Sequence, residues 1–143
     1  MTALSALPRI DERRHFRAAD RTDAAVCALR ADVVRTREAF DAMAPQWRAL
    51  EAQVDGAVLF QSSGWARAVF DFEAARGNMT FDPVVVTLSD GQRLVAVLPL
   101  ERIRTRARTV LAPLGPAFSQ YSDVLVGAGP EPRDAMARLL RAA

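Results

Sequence analysis

The chain contains no lysine: all 19 of its basic residues are arginine. That absence excludes Schiff-base and amine-nucleophile chemistry, because no side-chain amine exists to carry it. A single cysteine, Cys27, cannot close an internal disulfide, and with the single histidine, His15, it cannot build a structural zinc site. A reducing cytoplasm is the compartment these residues fit. No apolar run approaches the roughly 20 residues that a membrane span requires. The N-terminus lacks a signal-peptide core, since Leu4, Leu7 and Ile10 are separated by polar residues and followed by Asp11-Glu12-Arg13-Arg14. The net charge of +2 is too small to point to nucleic acid. Nor does the sequence hold a Gly-x-Ser-x-Gly elbow, a Walker loop, His-Glu-x-x-His or Cys-x-x-Cys, so hydrolase, NTPase and zinc-enzyme readings have no support.

What is present is an ordinary globular composition, 50% hydrophobic and 25% charged over 143 residues. Such a length suits one domain with a core that needs neither disulfide nor metal. Residues 1–31, rich in Ala, Arg and Asp, read as a loosely ordered or weakly helical leader, with His15 solvated and Cys27 a small buried residue. Asp32 to Thr36 reads as a first strand. Phe40, Met43, Trp47, Leu50 and Val54 recur at helical spacing, with Asp41 and Pro45 as the N-terminal signal, and that helix should end near Asp55-Gly56. Phe60-Gln61-Ser62-Ser63 should lead into a second helix capped by a serine, with Trp65, Val69 and Phe72 on one face, stopping at Gly77-Asn78.

Val84 to Leu88 and Leu94 to Leu98 flank Ser89-Asp90-Gly91-Gln92, a hairpin pattern. Their near-continuous apolar character implies a sheet covered on both faces. Further strands are expected at Thr109 to Leu111 and Val124 to Val126, and a last helix from Arg133 to Ala143. Together these predict an α/β (α+β) domain over residues 32–143, a mostly antiparallel sheet flanked by helices.

The order of helix, Phe60-Gln61-Ser62-Ser63-Gly64-Trp65, helix, hairpin ending Leu98-Pro99-Leu100, Leu114-Gly115 and Tyr121-Ser122-Asp123 resembles the CelD-like branch of the GNAT acyltransferase superfamily. Those proteins are associated with cellulose biosynthesis and exopolysaccharide production and are related to the FemAB peptidyl transferases. The resemblance implies a GNAT-like first half of a two-lobed protein, truncated at its C-terminal helix, with the acyl-CoA site in the missing second lobe. This chain itself would then hold no cofactor and assign no catalytic residue. Its share would be the acceptor side of the cleft, with Gln61 and Trp65 matching the family's Gln-x-x-x-Trp element and Tyr121 and Asp123 its loop after Leu-Gly. The acceptor would be a small molecule or saccharide. The lysine often found beyond that tryptophan in FemAB relatives is missing, which argues against a phosphate-bearing acceptor.

Each feature has a plainer reading beside it. Trp47 and Trp65 sit among apolar residues as core positions do, with the edge of Trp65 available to a cleft. Asp123 also suits a turn or cap. Gly127-Ala128-Gly129 before a helix could cradle a phosphate, yet Val124 stands where a GNAT pyrophosphate loop has Arg or Gln, and Pro130 removes a donor. Arg102, Arg104, Arg106 and Arg108 alternate, so an extended strand would align them on one face. That stripe supports a second function class, a non-catalytic domain recognising an anionic partner, against a solvated edge that discourages aggregation. The half-protein reading further expects Met136, Leu139 and Leu140 to present apolar surface without a partner in the chain, driving self-association.

Overall fold

The computed structural model describes residues 29–119 and 123–143. The leader through residue 28, with His15 and Cys27, and Tyr121 and Ser122 lie outside the described residues. Five strands, β1 (Arg30–Val34), β2 (Pro83–Asp90), β3 (Arg93–Arg104), β4 (Thr109–Pro113) and β5 (Leu125–Val126), form one sheet whose pairings are all antiparallel. Three α-helices, α1 (Arg37–Glu51), α2 (Ser63–Ala75) and α3 (Pro132–Ala142), cover it, so the fold is mixed α+β. Among the described residues no helix is long and apolar enough to cross a membrane.

The central hairpin forms as its pattern demands. Asp90 pairs with Arg93, and Gly91 takes φ 59 in the two-residue loop, a conformation open to glycine without a Cβ penalty. Both faces of the sheet are covered. Val85, Leu94 and Val97 pack with Phe40, Ala44, Trp47, Leu50 and Phe70 of α1 and α2 on one side, while Val84, Val86, Leu88 and Leu98 pack with Ala135 and Leu139 of α3 on the other. Parity along β3 is reset by a bulge. Leu88 pairs with Ala96 and Ser89 with Leu94, which leaves Val95 as the extra residue. Val95 and Ala96 therefore share the α3 side, while Leu94 and Val97 share the α1 side. The carbonyl of Val95 is free of the β2 ladder and accepts from Gly127 N–H at 2.9 Å.

β3 carries two partners on its second edge. β5 pairs at Ala96 and Val97, and β4 pairs from Leu100 to Arg104. Residues 114–119 leave the sheet after β4, and the turn they form positions the site described below.

Several expectations are corrected. The first strand is Arg30–Val34, and Thr36 instead caps α1, its Oγ1 accepting from Ala39 N–H at 3.2 Å. Pro45 does not signal the start of α1 but lies within it. An internal proline costs a helix about 3 kcal/mol, and here burial of Phe40, Ala44, Trp47 and Leu50 outweighs that cost. The arginine stripe does not form on one strand. β3 ends at Arg104, and Arg106 and Arg108 sit in a turn closed by Thr105 N–H donating to the Arg108 carbonyl at 2.8 Å. The apolar face of α3 finds its partner inside the chain: Ala135 and Leu139 are fully buried against the sheet, Met136 packs beside them, and Leu140 is exposed.

Candidate functional site

The connection from α1 to α2 is held by groups from both helices. Trp47, buried in α1, donates its indole N–H to the Gln61 carbonyl at 2.9 Å. The Glu51 carboxylate, at the end of α1, accepts from Ser63 N–H at 2.6 Å, placing negative charge at the α2 N-terminus where the helix dipole favours it. Ser62 caps the same turn, its Oγ accepting from Trp65 N–H at 3.0 Å. At the other end of α2, Gly77 adopts φ 64 and donates to the Ala74 carbonyl, while Asn78 N–H donates to Glu73, the pattern of a Schellman motif.

Gln61 ties this connection to a distant part of the chain. Its Oε1 accepts from Val58 N–H at 3.0 Å, and its Nε2 donates to the Val124 carbonyl at 3.1 Å. The Gln61 side chain thus bridges two backbone groups, one in the turn before α2 and one at the entry to β5. Asp123 is exposed, and its Oδ1 accepts from Val124 N–H at 2.7 Å, so it makes the turn contact that was its plainer reading. Tyr121 lies outside the described residues.

Trp65 begins a groove. Trp65, Ala68, Val69 and Phe72 follow one another at helical spacing along α2, and Phe118 from the 114–119 turn closes the far side around about 220 Å³ of almost wholly apolar space. Phe72 and Phe118 meet edge to face, with centroids 5.1 Å apart, and Phe60 meets Trp65 likewise at 5.0 Å. The stripe of Trp65, Val69 and Phe72 read from periodicity is therefore real, but only Val69 belongs to the core. Phe72 is 46% exposed, while Ala66 and Phe70 take the buried positions. The Trp65 indole N–H is buried and makes no hydrogen bond among the described residues. A buried donor left in that state costs about 1–3 kcal/mol, which the surrounding packing must offset.

The groove is held in shape by Gly115. With φ 66 and Val69 Cγ2 lying 2.9 Å from the position a Cβ would occupy, only glycine lets the turn approach α2 this closely. Gly115 N–H also donates to Glu101 Oε2 at 3.3 Å. Burial pushes the Glu101 carboxyl above its ordinary range, opposed by that N–H and by Arg76, and reinforced by Glu73 and Asp82. Glu73 is itself buried on α2, accepting from Asn78 and paired with Arg76 at 2.9 Å. Sequence reading missed Glu73, Glu101 and Phe118. A carboxylate on the apolar face of α2, one turn beyond Phe70, was the available signal for the first.

The Gly127-Ala128-Gly129 turn has a packing role. A Cβ at Gly127 would lie 2.6 Å from Leu50 Cδ1, so the glycine admits the end of α1. Its N–H is spent on Val95, and the helix that follows carries Glu131 and Asp134 at its start, where they disfavour a phosphate.

No family model, curated protein or solved structure matches the chain.

Proposed function

We propose that this chain is the acceptor-side half of a CoA-dependent acyltransferase, which seats the apolar part of an acceptor in the groove between α2 and Phe118. The acyl-CoA would be held by a second lobe. The acceptor's amine or hydroxyl would attack the thioester carbonyl, a general base or bound water would take its proton, and the CoA thiolate would leave. Within this chain the work is positioning: the groove orients the acceptor and excludes water from its apolar portion.

The observation that supports the reading is a preformed apolar groove that begins at Trp65, four residues after Gln61, whose side chain donates to the Val124 carbonyl. The family relationship enters only through the resemblance in sequence order.

Two measurements test it. Hexylamine and hexanol, simple apolar acceptors, should produce a saturable change in tryptophan fluorescence that Trp65→Phe abolishes while the Trp47 signal remains. Calorimetry of the 143-residue chain with acetyl-CoA should show no binding in the low micromolar range. A dissociation constant near 1 μM, about −8 kcal/mol, would refute the division of labour between lobes.

A further inference from the structure

At the end of the sheet opposite the hairpin loop, β3 outruns β2. Pro83 pairs with Glu101, and β3 continues through Arg102, Ile103 and Arg104 with only β4 beside it. The chain approaching β2, Met79 to Asp82, peels away from that overhang, and a cleft of about 410 Å³ opens between them. Arg102 N–H donates to the Asp82 carbonyl at 2.8 Å, which fixes the two walls relative to each other.

Three guanidinium groups converge on the single carboxylate of Asp82. Arg104 reaches Oδ2 at 2.8 Å, within hydrogen-bond range, while Arg102 stands 3.8 Å from Oδ2 and Arg35, just past β1, 3.6 Å from Oδ1. At those longer distances Arg102 and Arg35 are oriented by the charge of Asp82 but do not spend their donors on it. Among the described residues neither makes a hydrogen bond through its side chain to any other group. Three positive charges against Asp82 and Glu101 leave an excess of one, or of two when Glu101 carries a proton. Elsewhere among the described residues no carboxylate meets three guanidinium groups; Asp41 meets two, those of Arg37 and Arg67, and Asp71 shares the charge of Arg37.

We propose that this cleft, walled by Arg102 and Arg104 with Arg35 behind Asp82, is a binding site for a phosphate-type dianion. Planar forks with free donors suit tetrahedral oxyanions, and Asp82 acts as a brace that holds the forks in place before the ligand arrives. Phe81, Ile103 and the fully exposed Met79 supply an apolar side to the same cleft, where an organic group carried by the phosphate would rest. The site is independent of the α2 groove and of the acyltransferase reading.

The test is calorimetry on the full chain at fixed ionic strength, with inorganic phosphate and phenyl phosphate as probes and chloride as reference. Both phosphates should saturate, and Arg104→Gln, at an exposed side chain whose loss leaves the fold intact by circular dichroism, should weaken them about tenfold. Arg102→Gln should act in the same direction. Arg106→Gln and Arg108→Gln remove the same charge from the neighbouring turn and should change affinity by less than about twofold. Tighter binding of phenyl phosphate assigns the site to a phosphate ester, and equal binding assigns it to the free ion. Equal losses in all four variants, or chloride competing as well as phosphate, would reduce the cleft to general surface charge and overturn the proposal.

Discussion

Gln61 and Val124 lie 63 residues apart and are joined by one side-chain amide, which donates to the Val124 carbonyl at 3.1 Å. The same side chain receives Val58 N–H at 3.0 Å, so it closes the turn before α2 and anchors β5 with its two ends. Gln61→Ala strands a part-buried carbonyl and a backbone donor, and should cost about 1–3 kcal/mol in urea unfolding. Gln61→Glu keeps the acceptor for Val58 but loses the donor, so it should fall between wild type and alanine. If the alanine variant is neutral, the bond does not couple α2 to β5.

Gly115 and Val69 form a second close relationship. Gly115→Ala introduces a Cβ 2.9 Å from Val69 Cγ2 on a backbone with φ 66, and should destabilise by about 2–3 kcal/mol from overpacking and left-handed strain together. Val69→Ala in that background removes the clash but not the strain. The double-mutant cycle should therefore show a favourable coupling of about 1 kcal/mol, and simple additivity would mean the turn moves aside instead.

Two carboxyl groups should shape the acid limb of stability in opposite directions. The folded value of Glu101 lies above its ordinary 4.5, chiefly through burial. Its contribution is therefore complete below pH 4.5 and is lost as the pH rises through the folded value. Asp41, hydrogen-bonded by Arg37 and close to Arg67, lies below its ordinary 3.8, so its contribution is complete above that pH and is lost as the pH falls through the lower folded value. Glu101→Gln should be at least as stable as wild type at pH 7 and should lose the gain seen on acidification toward 4.5. Melting temperatures from pH 7 to 3 check this, and a clearly lower melting point for the glutamine variant at pH 7 would show that the ionised carboxylate is stabilising.

In α3, neighbouring leucines should behave differently. Leu139 is fully buried against the sheet, and Leu139→Ala should cost about 2–5 kcal/mol. Leu140 is 56% exposed, and Leu140→Ala should change stability by no more than about 0.5 kcal/mol. Similar losses at both positions would mean that Leu140 is covered in solution by another surface.

Local chemistry was legible wherever a residue acts on its neighbours. Ser62 as the cap of α2, Gly77 as its stop, and the Gly91 hairpin each depend on backbone groups a few positions away, so the sequence by itself determined them. The near-continuous apolar character of β2 and β3 likewise announced a sheet covered on both sides, because burial on two faces leaves no polar alternation. The helical spacing of Trp65, Val69 and Phe72 was equally readable, yet periodicity reports only that three side chains share a face. Whether that face meets core or groove was decided by the approach of the 114–119 turn to α2. Pro45 within α1, the bulge at Val95 and the pairing of β4 and β5 with one edge of β3 also belong to tertiary structure. In each, packing between distant segments outweighs a local preference worth a few kcal/mol at most. The four alternating arginines show the same limit: alternation puts side chains on one face only while the strand lasts, and the turn at Thr105 to Arg108 ends it after Arg104. Asp82 and Arg35, remote from those arginines in sequence, became their neighbours only when β1, β2 and β3 aligned at one end of the sheet.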